Sequence, residues 1–337
     1  MNILTINARL SSIKLKIFRY HNKNKINLLV SAHIHLDKAP SLTISTESNQ
    51  DTEKIELNGD NQHLNAIDKI FQNPKFNRYT IDCTINKIAY GGEDYVNIIL
   101  LHIKTLNSLS KHNDLLPNIQ PYNILVAKYF LTHFPKMKHY ATFDNGFHHT
   151  IPKINQALTL SGLKSYGVHG LSSEYIADKL SSLVDDKLAR ANWVIVHLGV
   201  TSSICGIKKG KSFVTESIKE SNRVLVSIAD GVEIPEKEYD GLVIESYALS
   251  VARSISLATT SLGGINGIVF TGNISQNSPQ IRKLILDKLS WLGAIINKKA
   301  NNNQKLKISD KDSKITVLLV STNEGYAMVN QFVEDKL

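Results

Sequence analysis

This chain of 337 residues has no hydrophobic run of membrane length. No stretch approaches the ~20 consecutive apolar residues that a spanning helix needs. Its start shows no charged segment followed by an apolar run, so no secretory leader is expected. Cysteine is nearly absent: there are two, Cys83 and Cys205, far apart and each in apolar, strand-like sequence. That excludes a disulfide framework and fits two buried thiols in a reducing cytosol. Arginine is sparse beside lysine. The formal net charge is +9, but the lysine-rich stretches 23–25, 298–307 and 311–314 fall in polar, turn-like segments. A nucleic-acid footprint would be clustered and would include Arg. The expectations are therefore a cytoplasmic protein with no membrane partner and no nucleic-acid partner. What the chain does have is 42% hydrophobic and 20% charged residues, enough for a sizeable core and, at this length, two domains.

The first fourteen residues organise the rest. Asn2 to Ile6 reads as a short buried strand, Asn7 to Ser12 as a polar turn, and Ile13 to Tyr20 as the return strand. Such a hairpin tip is either a plain solvated turn or a cradle that aims N–H groups, hydroxyls and a Lys at an anion. The pattern recurs at Trp193–Leu198, Gly199–Ser203 and Ile204–Ile207. Two copies of strand, hydroxyl-rich turn and strand suggest a duplicated fold.

Between the copies, Leu64 to Phe71 has helical spacing with Asn61 as N-cap, and Ile124 to Phe134 reads as an amphipathic helix. His33 and His35 share one strand face, with no third metal ligand placed by spacing. Gly91-Gly92 permits a sharp turn or a close ligand approach. Asp144 follows the strand His139–Phe143, where an Asp faces a ligand crevice or merely closes a turn. His169 lies in Gly167-Val-His-Gly170, a turn histidine or one projecting into a cleft, and Ser172-Ser-Glu174 reads as a helix cap. Gly241 to Leu262 is one long helix. Ile268 opens a strand whose Gly/Asn/Ser loop leads to a helix near Pro279, a setting that suits phosphate. A last strand, Ile315–Val320, precedes Thr322-Asn-Glu-Gly325 and a terminal helix.

Taken in order, these stretches resemble the acetate kinases of the sugar-kinase and actin superfamily. The carriers are Asn7-Ala-Arg-Leu-Ser-Ser-Ile-Lys14, Tyr90-Gly-Gly-Glu93, Phe143-Asp-Asn-Gly-Phe-His-His-Thr-Ile-Pro152, Tyr166-Gly-Val-His-Gly170, His197-Leu-Gly199, Phe270-Thr-Gly272 and Thr322-Asn-Glu324. The resemblance implies an α/β chain with a duplicated actin-like ATPase (ribonuclease H-like) fold, two domains and a central cleft. The first domain would comprise 1–147 with 325–337, the second 148–324. It implies a phosphotransferase converting ATP and acetate, or another short carboxylate, into ADP and acetyl phosphate, in a homodimer. Asn7 and Glu324, with Asp144, would surround Mg²⁺ or Mn²⁺. Asp144, His169 and Lys87 would be catalytic. Ser11, Ser12, Lys14, His197, Gly199 and Gly272 would bind the phosphates and ATP. Ala89, Asn118 and Val168 would line the substrate pocket.

The departures fall on the chemistry. Lys87 stands where the resemblance implies a catalytic arginine, keeping the charge and losing the bidentate fork. Tyr90 replaces a histidine, Leu10 a serine, and Val200-Thr201 the usual Asn-Gly of the second phosphate loop. Near 217–239 the chain is short of a long segment that would carry a second arginine and much of the adenosine pocket. Arg223 alone lies nearby. The alternative expectation is thus a catalytically impaired homologue kept for binding or regulation.

Overall fold

The computed structural model describes residues 1–22, 25–36, 39–57, 61–156, 167–218, 223–231 and 241–337. Part of the lysine-rich stretch 23–25, Tyr166, and most of the shortened stretch 217–239 lie outside the described residues. The chain divides into two compact units, Met1–Gly146 with Glu324–Leu337, and Phe147–Asn323.

The first unit is built on eight strands: β1 (Asn2–Arg9), β2 (Ser12–Asn22), β3 (Lys25–His35), β4 (Ser41–Thr46), β5 (Gln50–Lys54), β6 (Cys83–Ile88), β7 (Ile99–Leu100) and β8 (Lys138–Phe143). They form one sheet in the order β5-β4-β3-β2-β1-β6-β8-β7. β1 to β5 pair antiparallel in sequence, whereas β1, β6 and β8 run parallel. Strict alternation drives this: Ile13, Leu15 and Ile17 are buried on one face of β2, while Lys14 and Lys16 stand on the other. Helices α1 (Gln62–Gln72), α2 (Pro74–Asn77), α3 (Ile103–Leu109) and α4 (Gln120–His133) belong to this unit, as does the C-terminal helix Glu324–Lys336. Asn61 caps α1 by accepting from the Leu64 amide at 3.4 Å. Ile67, Ile70, Val126 and Phe130 of α1 and α4 pack on the apolar face of the sheet.

The expected six-residue polar turn after Ile6 is wrong in its bounds. β1 runs on to Arg9, and only Leu10 and Ser11 separate it from β2. Asn7 and Arg9 alternate with buried Ala8, so they are strand residues facing away from the core.

The second unit repeats the plan. β9 (Asn192–His197), β10 (Ser202–Lys208) and β11 (Lys211–Ile218) form an antiparallel meander, and β12 (Gly267–Thr271) and β13 (Thr316–Leu319) add in parallel, in the order β11-β10-β9-β12-β13. The first sheet holds the same series in β3-β2-β1-β6-β8, so the duplication read from two hairpins is present in the topology. The helices are α5 (Gly170–Leu183), α6 (Asp186–Ala189), α7 (Arg223–Ala229), α8 (Gly241–Leu262), α9 (Asn273–Asn277), α10 (Pro279–Lys288) and α11 (Lys298–Asn302). α8 buries Tyr247, Val251, Ile255, Ala258 and Leu262, spaced three and four apart, against this sheet. Truncating one of the large residues, as in Ile255→Ala, should cost about 2–5 kcal/mol. Gly267 is dictated by Trp193: a Cβ there would come within 2.2 Å of the buried indole.

Two further expectations are corrected. The Gly/Asn/Ser loop after β12 is wound into the short helix α9. Ser172 and Ser173 do not cap α5. They are buried inside it, and His169 occupies the N-cap position in a left-handed conformation with φ of 58°.

Candidate functional site

In the first unit the end of β1, the end of β6, the end of β8 and the start of the C-terminal helix bring four polar side chains together. Lys87 Nζ lies 3.1 Å from Asp144 Oδ1 and 3.0 Å from Glu324 Oε2. Asn7 Nδ2 donates to the same Glu324 oxygen at 2.8 Å. Lys87 is 3% exposed and Asp144 7%, so this is a charge cluster largely withdrawn from water. One ammonium faces two carboxylates, and Arg9 reaches Glu324 only at 3.9 Å. Asn7 Oδ1 is buried with no hydrogen-bond partner. An orphaned amide oxygen beside two carboxylates is a donor set for a hard cation, which takes oxygen ligands. The residues present therefore fit Mg²⁺. Among the described residues no group of three or more His, Cys, Asp or Glu could hold a metal.

Lys14 faces this cluster from β2, directly opposite Asn7. Partial loss of water pushes its ammonium below the usual lysine range, with Glu324 pulling the other way and Arg9, Lys16 and Lys87 adding to the fall. Ser11 and Ser12 form the tip of the hairpin. Asn118 is also at that tip, its carbonyl accepting from the Leu10 amide at 3.0 Å. Ala89 is buried just past β6.

Sequence reasoning missed the residues that hold this region still. Gln120 and Asn123 of α4 are buried and reach the main chain after β6. Asn123 Oδ1 accepts from the Ala89 amide at 2.8 Å, and its Nδ2 donates to the Ala8 carbonyl at 2.6 Å. Gln120 accepts from the Tyr90 amide at 3.0 Å and donates to the Tyr90 carbonyl at 2.9 Å. Asn145 Oδ1 accepts from the Gly91 amide at 3.1 Å. One helix thus ties β1 to the segment after β6. The only signal was the placing of amides on a helix face otherwise turned to the core.

In the second unit, His169 and His197 stack with ring centroids 3.9 Å apart and planes 9° apart. His169 Nδ1 hydrogen-bonds Ser203 Oγ at 3.0 Å, and its Nε2 meets Thr201 Oγ1 at 3.1 Å. His197 Nδ1 hydrogen-bonds Ser172 Oγ at 2.8 Å. The partners here are hydroxyls, unlike the ion cluster of the first unit. His148 supports this set. Its Nε2–H donates to the Val168 carbonyl at 3.2 Å, and its Nδ1 shares a hydrogen bond with the Ser212 hydroxyl at 2.9 Å. The His148 ring also presses on Gly167, whose φ is +67° and where a Cβ would come within 2.5 Å of the imidazole. Cys205, next to Ser212, is fully enclosed, and burial pushes its thiol up to about 11.

Gly199 lies in the turn between β9 and β10, its amide donating to Ser202 Oγ at 3.3 Å. Gly272 is packed against that turn: its φ is +85°, and a Cβ would stand 2.4 Å from the Leu198 carbonyl oxygen. Around Gly272 the buried Thr271 Oγ1, Ser275 Oγ and Gln276 Nε2 have no hydrogen-bond partner. Three orphaned polar atoms along one six-residue stretch suit a ligand or ordered water.

The site residues named from sequence therefore fall into two sets, each assembled within its own unit. Asn7, Ser11, Ser12, Lys14, Lys87, Ala89, Asn118, Asp144 and Glu324 belong to the first; Val168, His169, His197, Gly199 and Gly272 belong to the second.

The Acetokinase family model matches residues 2–218 and 224–330. An acetate kinase of Rickettsia felis is 27% identical, with 98% of each chain covered. Among solved structures, a propionate kinase from Francisella tularensis aligns with a TM-score of 0.80 at 21% identity, covering 98% of both chains. An acetate kinase from Entamoeba histolytica aligns with a TM-score of 0.78 at 21% identity, covering 99% of both. These likenesses show the same fold, a mixed α/β architecture of two sheets as in the two-domain actin-like ATPases, and the family match extends over nearly the whole chain. The chain belongs to the acetokinase family.

Proposed function

We propose that this chain transfers a phosphoryl group directly and in line between ATP and acetate, or another short carboxylate, giving ADP and acetyl phosphate. The observation that carries this reading is the cluster of Lys87, Asp144, Glu324 and the orphaned Asn7 amide oxygen. Asn7, Asp144 and Glu324 would hold Mg²⁺ (Mn²⁺ has the same donor preference), directly or through water. The ion would supply charge neutralisation on the phosphates. Asp144 orients the attacking carboxylate, and Lys87 balances part of the negative charge between the two acids. Lys14 and the Ser11–Ser12 tip hold phosphate oxygens, with His197, Gly199 and Gly272 on the second loop. His169 donates a hydrogen bond to the transferring group. Ala89, Asn118 and Val168 border the carboxylate's methyl group. Positioning and charge stabilisation dominate such a reaction. A cytosolic homodimer is part of the same reading, and sedimentation of the purified chain tests the dimer.

The test is trapping of acetyl phosphate as hydroxamate with Mg-ATP, acetate and purified protein. Product well above an Asp144→Asn control is expected, and none above it would overturn the reading.

One observation favours the impaired homologue instead. Thr201, which replaces a glycine of the family pattern, occupies His169 Nε2 at 3.1 Å. Under this reading thermal unfolding would not respond to ATP, ADP or pyrophosphate; a clear stabilisation by any of them argues against it.

A further inference from the structure

Toward the β1–β2 tip, the face of the first sheet opposite its core is polar across five strands. Cross-strand register aligns Asn7 of β1, Lys14 of β2, His33 of β3, Thr43 of β4 and Thr52 of β5 in a single row. Thr43 and Thr52 share a hydrogen bond at 3.0 Å between their hydroxyls. At about 4.8 Å per strand the row covers about 19 Å. Arg9 and His35 flank it on one side and Lys16 on the other. His33 and His35 project together, ring centroids 4.0 Å apart. The charges felt by Lys14 and His33 from this face are positive, Glu324 excepted.

Three features distinguish this strip from an ordinary solvated sheet. First, Arg9, Lys14 and Lys16 gather here with a single carboxylate, Glu324, acting on all three, so positive charge is in excess and an added anion would offset it. Second, the environment is harsh to added positive charge. Burial, with Lys14, His35, Arg9 and Lys16, holds the His33 imidazole down at about 2, so its neutral ring keeps an N–H to donate. Third, the row carries no Phe, Tyr or Trp. A single-stranded nucleic acid is held by aromatic stacking as well as by cations, and nothing here supplies it.

We propose that this face is a binding site for a linear inorganic oligophosphate laid across β1 to β5. Arg9, Lys14 and Lys16 offset its charge, and His33, His35 and the Thr43–Thr52 pair donate hydrogen bonds to its oxygens. The proposal goes beyond the kinase reading and does not depend on it, since binding is measured without acetate or nucleotide.

The experiment is isothermal titration of the full chain with long-chain inorganic polyphosphate, and separately with a single-stranded oligonucleotide of similar charge. The double variant Lys16→Gln with His35→Gln lies outside the proposed catalytic set. It should weaken polyphosphate binding at least tenfold and reduce the slope of log affinity against log salt, by about 0.7 per charge removed if polyphosphate behaves like a single strand. In a parallel measurement, the His33 imidazole NMR signals should shift on saturation, because a bound anion favours the protonated ring. Unchanged affinity in the double variant, a static His33 signal, or equally tight oligonucleotide binding would each overturn the proposal.

Discussion

The two hairpins at the heart of the duplicated fold have been treated differently. β1–β2 still delivers charge. It carries Asn7, whose amide oxygen lacks a partner, and Lys14, set opposite it near a cluster of one ammonium and two carboxylates. β9–β10 delivers hydroxyl contacts, in which Thr201 and Ser203 meet the two nitrogens of His169. A site waiting for ions leaves donors and acceptors unmet, whereas a site that has become structural satisfies its own groups. The first hairpin has the former character and the second the latter, apart from the orphaned atoms beside Gly272.

The largest test of this contrast is Lys87→Ala. It would leave Asp144 and Glu324 as neighbouring carboxylates, mostly buried, with their shared cation removed. Breaking a buried ion pair from one side costs about 3–5 kcal/mol. A clear fall in chemical or thermal stability is expected, recovered in part by added Mg²⁺ if the oxygen set binds it. A variant as stable as the parent would mean that the cluster is solvated and the contrast false.

Gly167→Ala probes the second hairpin's support. A Cβ there collides with the His148 ring, and the φ of +67° disfavours any L side chain. The cost should be about 1–3 kcal/mol, read by denaturant unfolding. Because the strain lies two residues before His169, any phosphoryl transfer should fall more than stability alone explains.

Much of the fold could be read from the chain because period and burial agree there. α8 spans the expected Gly241–Leu262, since its apolar residues recur every three to four positions with glycines beyond its end. The first turn was misplaced for a physical reason: Ala8 is a weak apolar marker, so the alternation Ile6, Asn7, Ala8, Arg9 looks like a polar run. The Ser-Ser-Glu of α5 was misread because a serine inside a helix and a serine at its cap have the same local sequence, and only burial separates them. For the site, Asn7, Lys87, Asp144 and Glu324 were named individually, but their mutual hydrogen bonds and ion pairs join residues up to 317 positions apart. The role of His148 stayed hidden for the same reason, since Ser212 and Val168 reach it through the tertiary fold alone.

Thr201→Gly attacks the contrast directly. It removes the hydroxyl from His169 Nε2 and returns a glycine to the turn after Gly199. A net hydrogen bond of this kind is worth about 0.5–1.5 kcal/mol. Freeing the nitrogen should therefore raise acetyl phosphate formation by about two- to tenfold if His169 acts on the transferring group. The measurement is the hydroxamate assay, with parent and variant at matched protein. No change would mean that the Thr201 contact does not restrain the histidine.

The smallest expected effect concerns the positive field of the first hairpin itself. His33 sits near 2 in the native chain, against an ordinary value of 6.5. Between these values the unfolded chain holds a proton on this ring that the folded chain does not. Stability therefore falls as pH drops below 6.5, by at most about 1.4 kcal/mol per pH unit, and by less because the ring is partly exposed. Replacing the ring by a neutral amide, His33→Gln, removes that difference. The variant's stability should match the parent above pH 7 and fall less steeply from 6.5 downward, read by urea unfolding at a series of pH values. The groups facing the ring are Lys14, Lys16, Arg9 and His35, with Glu324 the carboxylate near Lys14. Parallel curves for parent and variant would show that those cations do not act on His33, and the first hairpin would lose the character that separates it from the second.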